Sequence, residues 1–265
     1  MEALKIEENN TLHPNGFINI HHCLKQAVPK RDFVLPALKA GNVGVLAAAG
    51  GLGKSLFCLQ IAAQIACNDY NYNPLDLDIQ KRGKVVYLSN EDDNEELIIR
   101  LHNLFEKVSD NHIKSINNNL FIRDMLDLFP NLLDRGTWEQ IIKWSQGARL
   151  IILDTLTTFH SANEIDNSEM SRVLQVCKYI AKTTAAAVLL VHHVSKGSDV
   201  TNFESIRGAS AISNNVRASF YLKMNEIEDK DKDGNVVKIE TNRFEFGVSK
   251  INGGKRPAPK VYERD

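Results

Sequence analysis

The sequence predicts an α/β fold: a mostly parallel central sheet flanked by helices, followed by an antiparallel hairpin near the C-terminal end. Three observations predict it. First, the apolar run Val43 to Ala49 leads into the turn Gly50-Gly51-Leu52-Gly53, and Leu56 to Ala66 then reads as a helix. Second, further short apolar runs, Lys84 to Ser89, Arg149 to Leu153 and Ala185 to Val191, alternate with helical stretches, as strands joined by crossover helices do. Third, Arg217 to Met224 and Val236 to Lys250 follow with no helix between them, a connection open to antiparallel strands but not to parallel ones.

The chain has 265 residues, enough for a sizeable core in one large domain or two small ones. Lys and Arg number 32 against 33 Asp and Glu, so the net charge of -1 gives no global basic signature. Any nucleic-acid surface is therefore local. The four cysteines, Cys23, Cys58, Cys67 and Cys177, lack C-x-x-C spacing, which fits free thiols in a reducing cytoplasm. The polar, acidic start is no signal peptide, and no apolar run reaches the roughly 20 residues that span a membrane. A cytoplasmic protein without membrane contact is expected.

In chain order, residues 1–16 read as a loosely held tail. Ile18 to Ala27 reads as a short helix; His21, His22 and Cys23 lack a second pair at metal-ligand spacing. Pro29 to Pro36 reads as an extended arm. The motif Gly50-Gly51-Leu52-Gly53-Lys54-Ser55 between a strand and a helix is a phosphate-binding P-loop. Its glycines let backbone N–H groups converge, and the helix N-terminus adds positive potential. Lys54 reaches terminal phosphates, and the Ser55 hydroxyl can hold Mg²⁺. The candidate nucleotide-contacting run is Ala49, Gly50, Gly51, Leu52, Gly53, Lys54, Ser55 and Leu56. One position departs from G-x-x-x-x-G-K-[ST]: its first Gly is Ala48.

After the polar loop Asn68 to Arg82, the second strand ends in Asn90-Glu91-Asp92-Asp93. Acids at a strand's carboxyl end lie where open α/β sheets place ligands. They also suit the start of a helix, Glu95 to Val108, with Asp93 or Asn94 as its cap. Both readings hold together, with Glu91 as a catalytic carboxylate. Asn119 to Arg123 reads as a short strand. Thr137 to Gln146 reads as a helix packing Trp138, Ile141, Ile142 and Trp144 inward. Arg149-Leu150-Ile151-Ile152-Leu153-Asp154 is then a Walker B pattern, in which Asp154 holds Mg²⁺ through water.

Thr157 to Asn167 reads as a polar loop and Ser168 to Lys182 as a helix. The strand Ala185 to Val191 ends in His192-His193. A metal there would need further ligands that the sequence does not place, and a neutral imidazole donating to a γ-phosphate fits better. Gly197 to Ser205 reads as a loop, with a short helix after Arg207-Gly208. Asp229, Asp231, Asp233-Gly234 and Glu240 match EF-hand spacing, but their flanks read as strands. Asp233-Gly234 is therefore read as a hairpin turn. Three parts are expected: an N-terminal tail and arm (1–31), a main domain (32–252) and a C-terminal tail (253–265).

Assembled, these residues resemble the RecA-fold ATPases, and more closely the RepA-type hexameric replicative helicases, cousins of the DnaB helicases. The likeness runs from about Asp32 to Lys250. It is carried by Gly50 to Ser55, Tyr87 to Asp92, Leu153 to Leu156 with Phe159-His160, His192-His193 with Ser195-Lys196-Gly197, Arg207-Gly208, and Gly247 to Lys250. The resemblance implies a RecA-like P-loop NTPase core over 32–252 that hydrolyses ATP with Mg²⁺. It implies that Glu91 activates the attacking water and that His193 senses the γ-phosphate. Arg207, and Lys250 likewise, would reach a neighbour's nucleotide, and Arg100 falls near the residue that stacks on the base. DnaB-like enzymes carry a trans arginine where this chain has Asn252. The resemblance further implies single-stranded DNA as partner and a homo-oligomer, a hexameric ring. The loops Thr157 to Asn167 and Lys196 to Arg207 would face its channel, and the N-terminal arm would pack on a neighbour. A replication initiator or primase is a further partner. The activity implied is an ATP-dependent DNA helicase of plasmid, phage or mobile-element replication. The alternative is a RecA-fold DNA-dependent ATPase that does not unwind, acting as a recombination or loading factor.

Overall fold

The computed structural model describes residues 17–164, 166–195, 198–205, 210–230, 236–252 and 255–264. They fall into two compact units, Met1–Asp32 and Phe33–Asp265. In the first, α1 (Ile20–Cys23) is one turn, with the Asn19 side chain accepting from the His22 N–H. The helix expected to reach Ala27 stops here, because one turn without an apolar face to bury does not propagate. Residues 1–16, read as a tail, lie outside the described residues.

The second unit opens with a small antiparallel pair, β1 (Phe33–Leu35) and β2 (Leu38–Lys39), within and just beyond the segment read as an extended arm. The elements that follow are β3 (Val43–Ala49), α2 (Lys54–Ala66), β4 (Val85–Ser89), α3 (Asn94–Phe105), α4 (Asp110–Asn117) and β5 (Leu120–Asp124). Next come α5 (Arg135–Trp144), β6 (Leu150–Asp154), α6 (Asn167–Thr184), β7 (Ala187–Val194) and α7 (Ser210–Asn215). The chain closes with β8 (Ala218–Lys230), β9 (Val236–Ile251) and β10 (Lys260–Glu263).

Among the described residues the strands from β3 onward form one sheet in the order β10-β9-β8-β3-β7-β6-β4-β5. β8, β3, β7, β6, β4 and β5 run parallel, while β9 and β10 are antiparallel to their neighbours. This is the predicted architecture: a mostly parallel α/β sheet ending in an antiparallel hairpin. The inner strands are buried on both sides, which explains why β4 and β6 read as continuous apolar runs rather than alternating ones. One face packs on α2, with Leu97 of α3 and Ile116 of α4; the other packs on α6, with Ile141 of α5 and Ile212 of α7. Trp138, Ile142 and Trp144 pack against that second core, as α5 was expected to place them.

Two elements escape the sequence reading. Helix α4, capped by Ser109, lies where no element is expected. β10 lies inside the segment read as a tail and pairs with β9 from Lys260↔Phe246 to Glu263↔Arg243. Its anchor is aromatic: Tyr262 lies 5.5 Å from Phe244 and 5.6 Å from Phe57, centroid to centroid, and its hydroxyl donates to the Leu75 carbonyl at 2.7 Å. The β8–β9 ladder is paired out to Lys230↔Val236, so the flanks of the acidic motif are strands. The turn read at Asp233-Gly234 lies outside the described residues.

Gly247 of β9 sits opposite Tyr221, and a Cβ there would fall 2.3 Å from the ring Cζ. The ring is held in place because the Tyr221 hydroxyl donates to Glu245. Gly247→Ala is therefore expected to destabilise by about 1–3 kcal/mol, at roughly 2–4 °C of melting temperature per kcal/mol. Thermal denaturation checks this, and an unchanged melt would show that the ring yields freely.

Candidate nucleotide-hydrolysis site

The sheet order puts the carboxyl ends of β3, β7, β6 and β4 side by side, and the candidate residues collect there. β3 runs straight through Ala48, paired with His193, to Ala49. The missing first glycine therefore falls on extended backbone, where alanine serves. Left-handed backbone occurs later, at Gly51 (φ 81°) and at Gly53 (φ 78°), the N-cap of α2. Lys54 and Ser55 open α2, and Leu56 follows in its first turn. The buried Lys54 ammonium donates to the Ala49 carbonyl at 2.9 Å, folding back across the loop. Burial lowers its pKa, while Glu91 and Asp154 act to raise it.

Asp154 ends β6 beside Ser89 of β4, and the Asp154–Thr155 peptide is cis. The carboxylate is buried. The Tyr87 hydroxyl donates to Oδ2, whereas Oδ1 has no hydrogen-bond partner among the described residues. Burial pushes this carboxyl up, and hydrogen bonding from Tyr87 and Ser55 pulls it back down. A buried anionic oxygen without a donor, with a serine hydroxyl against the same carboxylate, fits a hydrated divalent cation.

The segment after β4 is pinned to β6: the Asn90 N–H donates to the Asp154 carbonyl at 2.7 Å and the Asn90 amide to the Thr158 carbonyl at 2.6 Å. Asp93 caps α3, accepting from the Glu96 N–H at 2.8 Å, so Asp92 and Asp93 do start the helix while Glu91 stays outside it. Glu91 Oε2 lies 3.1 Å from His193 Nε2, and both side chains remain open to solvent, at 44% and 38% exposure. β7 extends three residues past the expected Val191 because its pairing with β3 continues to Val194. Strand alternation then turns the adjacent histidines to opposite faces. His193 meets Glu91, while His192 is buried.

Other candidates sit apart from this group. Arg100, in mid-α3, is held by Asp92 at 2.8 Å and by Glu96 at 3.2 Å. Asp92 is itself buried, which raises its pKa against the pull of Arg100. The Lys250 ammonium donates to the Ser213 carbonyl at 2.7 Å, within its own chain. Arg207 lies outside the described residues, as do Ile165, Lys196 and Gly197 of the two loops read as channel-facing. A pocket of about 610 Å³ adjoins the P-loop, lined by Leu52, Gly53, Leu56, Asn103, Tyr262 and Arg264 among others. Sequence reasoning misses both Tyr87 as a partner of Asp154 and this pocket. A lone phenol inside Val85-Val86-Tyr87-Leu88 is the available signal for the first. The second depends on β10.

His160 and His192 carry a pH dependence. Burial lowers both pKa values, with Glu164 acting the other way on each; its Oε1 lies 3.9 Å from His160 Nε2. The unfolded chain takes up these protons near the ordinary value of about 6.5, but the folded chain resists them. The stability this contributes is complete above that value and is lost as pH falls through the lowered folded values. Asp92 and Asp154, whose carboxyls burial raises, act oppositely nearer the carboxylate range. Urea denaturation is thus expected to show lower stability at pH 6 than at pH 7.5, with a shallower slope in His160→Leu. Equal stability at both pH values in the parent would contradict this.

A family model described as an AAA domain matches residues 18–199. Among solved structures, the chain is similar to an isolated ATPase domain, at 17% identity and a TM-score of 0.60, covering 91% of each chain. It is equally similar to a DnaB-like replicative helicase whose structure was determined with its interactions with primase. Identity is 17% and the TM-score 0.60, over 91% of this chain but 62% of that one. The RadB recombinase matches at 14% identity and a TM-score of 0.52, over 85% of this chain and 88% of that one. The shared fold is that of RecA-like ATPase domains.

Proposed function

The chain belongs to the AAA domain family, and on that premise we propose that it is an ATP-dependent DNA helicase, ring-forming and translocating on single-stranded DNA, in plasmid, phage or mobile-element replication. The observation that carries the reading is the convergence of Lys54, Ser55, Asp154, Glu91 and His193 on the carboxyl ends of adjacent strands. That grouping joins a phosphate cradle to a carboxylate open to water, which is what hydrolysis requires.

The loop amides and Lys54 bind the phosphates, and the nucleoside lies toward the pocket of Leu56, Tyr262 and Arg264. Arg100, engaged by Asp92 and Glu96, would have to give up those partners to stack on a base. Ser55, and Asp154 through water, would hold Mg²⁺, which neutralises charge on the phosphate oxygens when bound. Glu91 takes the proton of the attacking water as the new P–O bond forms and the bridging P–O bond breaks. His193 pairs with Glu91 when no phosphate is present, and it donates to the γ-phosphate when one is. That exchange frees Glu91 for water only in the triphosphate state. A hexameric ring, with Arg207 and Lys250 reaching a neighbour's nucleotide and the N-terminal arm packing on a neighbour, completes the proposal. Lys250 must then exchange the Ser213 carbonyl for that phosphate.

The likeness to a recombinase keeps the non-unwinding DNA-dependent ATPase as the second reading. A forked-duplex strand-displacement assay separates the two. The helicase reading expects displacement that depends on ATP and Mg²⁺, and hydrolysis without displacement would leave the second reading standing. Oligomeric mass with and without a non-hydrolysable ATP analogue tests the ring, which a strict monomer at high concentration would contradict.

A further inference from the structure

We propose that Tyr87 is a positioning residue for Asp154, fixing which carboxylate oxygen is presented to Mg²⁺. The proposal rests on reading this site as an Mg²⁺-dependent ATP hydrolase. Tyr87 lies in the middle of β4, opposite Ile152 of β6, and Ser89 lies opposite Asp154. Tyr87 and Asp154 are thus diagonal neighbours on adjacent strands, within the reach of an aromatic side chain. Both are fully buried. A phenol among Val85, Val86 and Leu88 needs a partner for its hydroxyl, and the one it has is Asp154 Oδ2. A phenylalanine would fill the same space without that requirement.

The bond divides the carboxylate into two unlike oxygens. Oδ2 is engaged from inside the sheet, and Oδ1 has no partner among the described residues. Without the phenol the two oxygens become equivalent, and the carboxylate can rotate about χ2 in its buried slot. Groups that orient a metal-binding carboxylate in this way commonly change metal affinity or activity by about 10–100-fold when removed.

The test measures equilibrium binding of a non-hydrolysable ATP analogue to the full chain, with Mg²⁺ titrated and again in EDTA, alongside thermal melts. In Tyr87→Phe the half-saturating Mg²⁺ concentration is expected to rise about tenfold, with the affinity in EDTA within about twofold of the parent. An unchanged Mg²⁺ dependence, or an equal loss in EDTA, would overturn the proposal. Asp154→Asn provides the second comparison, since adding Tyr87→Phe to it should change nothing further. An additional shift there would also overturn it, and this comparison decides the matter should Tyr87→Phe alone fold poorly. If Mg²⁺ has no effect on nucleotide binding by the parent protein, the functional reading fails. If the parent responds and Tyr87→Phe matches it, only the positioning role fails.

Discussion

Replacing Glu91 by glutamine is expected to lower ATP turnover by about 10²–10⁴-fold and to leave nucleotide affinity within a few-fold of the parent. Glu91 stands outside α3, on the segment that Asn90 ties to β6, with its carboxylate open to solvent. It contributes nothing to the P-loop cradle, so binding should survive its loss. The amide retains shape and hydrogen bonding to His193 but cannot accept a proton from water. Steady-state phosphate release, paired with titration of a fluorescent ATP analogue, checks both halves. Turnover close to that of the parent would remove the catalytic role of Glu91. Weakened binding in parallel would instead make it a structural residue of the cradle.

Lys54→Met is expected to lower affinity for ATP by about 10²–10⁴-fold, from the loss of two charged hydrogen bonds. The side chain is buried and its ammonium rests on the Ala49 carbonyl, poised across the loop. A triphosphate would replace that single neutral acceptor with anionic oxygens. Hydrogen bonds involving charged groups contribute about 1.5–3 kcal/mol each, and two of them account for the expected factor at about 1.4 kcal/mol per tenfold. Methionine keeps the buried stem packed, so the variant should fold. Circular dichroism monitors that, and calorimetric titration with ATP measures the loss. Affinity within threefold of the parent would mean that the loop amides alone hold the phosphates.

The parts of this fold legible in the sequence are those whose local pattern and global place agree. β3, β4 and β6 are legible because parallel strands covered on both faces are short apolar runs. The P-loop is legible because its glycines, lysine and serine are each required by backbone or phosphate geometry. β10 is not, because four residues with alternating exposure become a strand only through pairing with β9 and through Tyr262 against Phe57 and Phe244. β7 reads short because His192 and His193 are polar, and the ladder with β3 overrides that composition. At the site, motif residues are visible one by one. Their links, Tyr87 to Asp154 and His193 to Glu91, join positions 67 and 102 residues apart and follow from sheet order alone. Arg100 illustrates the reverse: its place near a nucleotide comes from resemblance, and its engagement by Asp92 and Glu96 comes only with the fold.

The central claim is that these strand ends form a hydrolytic nucleotide site. Phosphate release from ATP by the full chain, with and without Mg²⁺ and with and without single-stranded DNA, tests it most directly. The account predicts release that requires Mg²⁺ and rises when single-stranded DNA is added. ATP that binds with Mg²⁺ present and is never hydrolysed, with or without DNA, would contradict it.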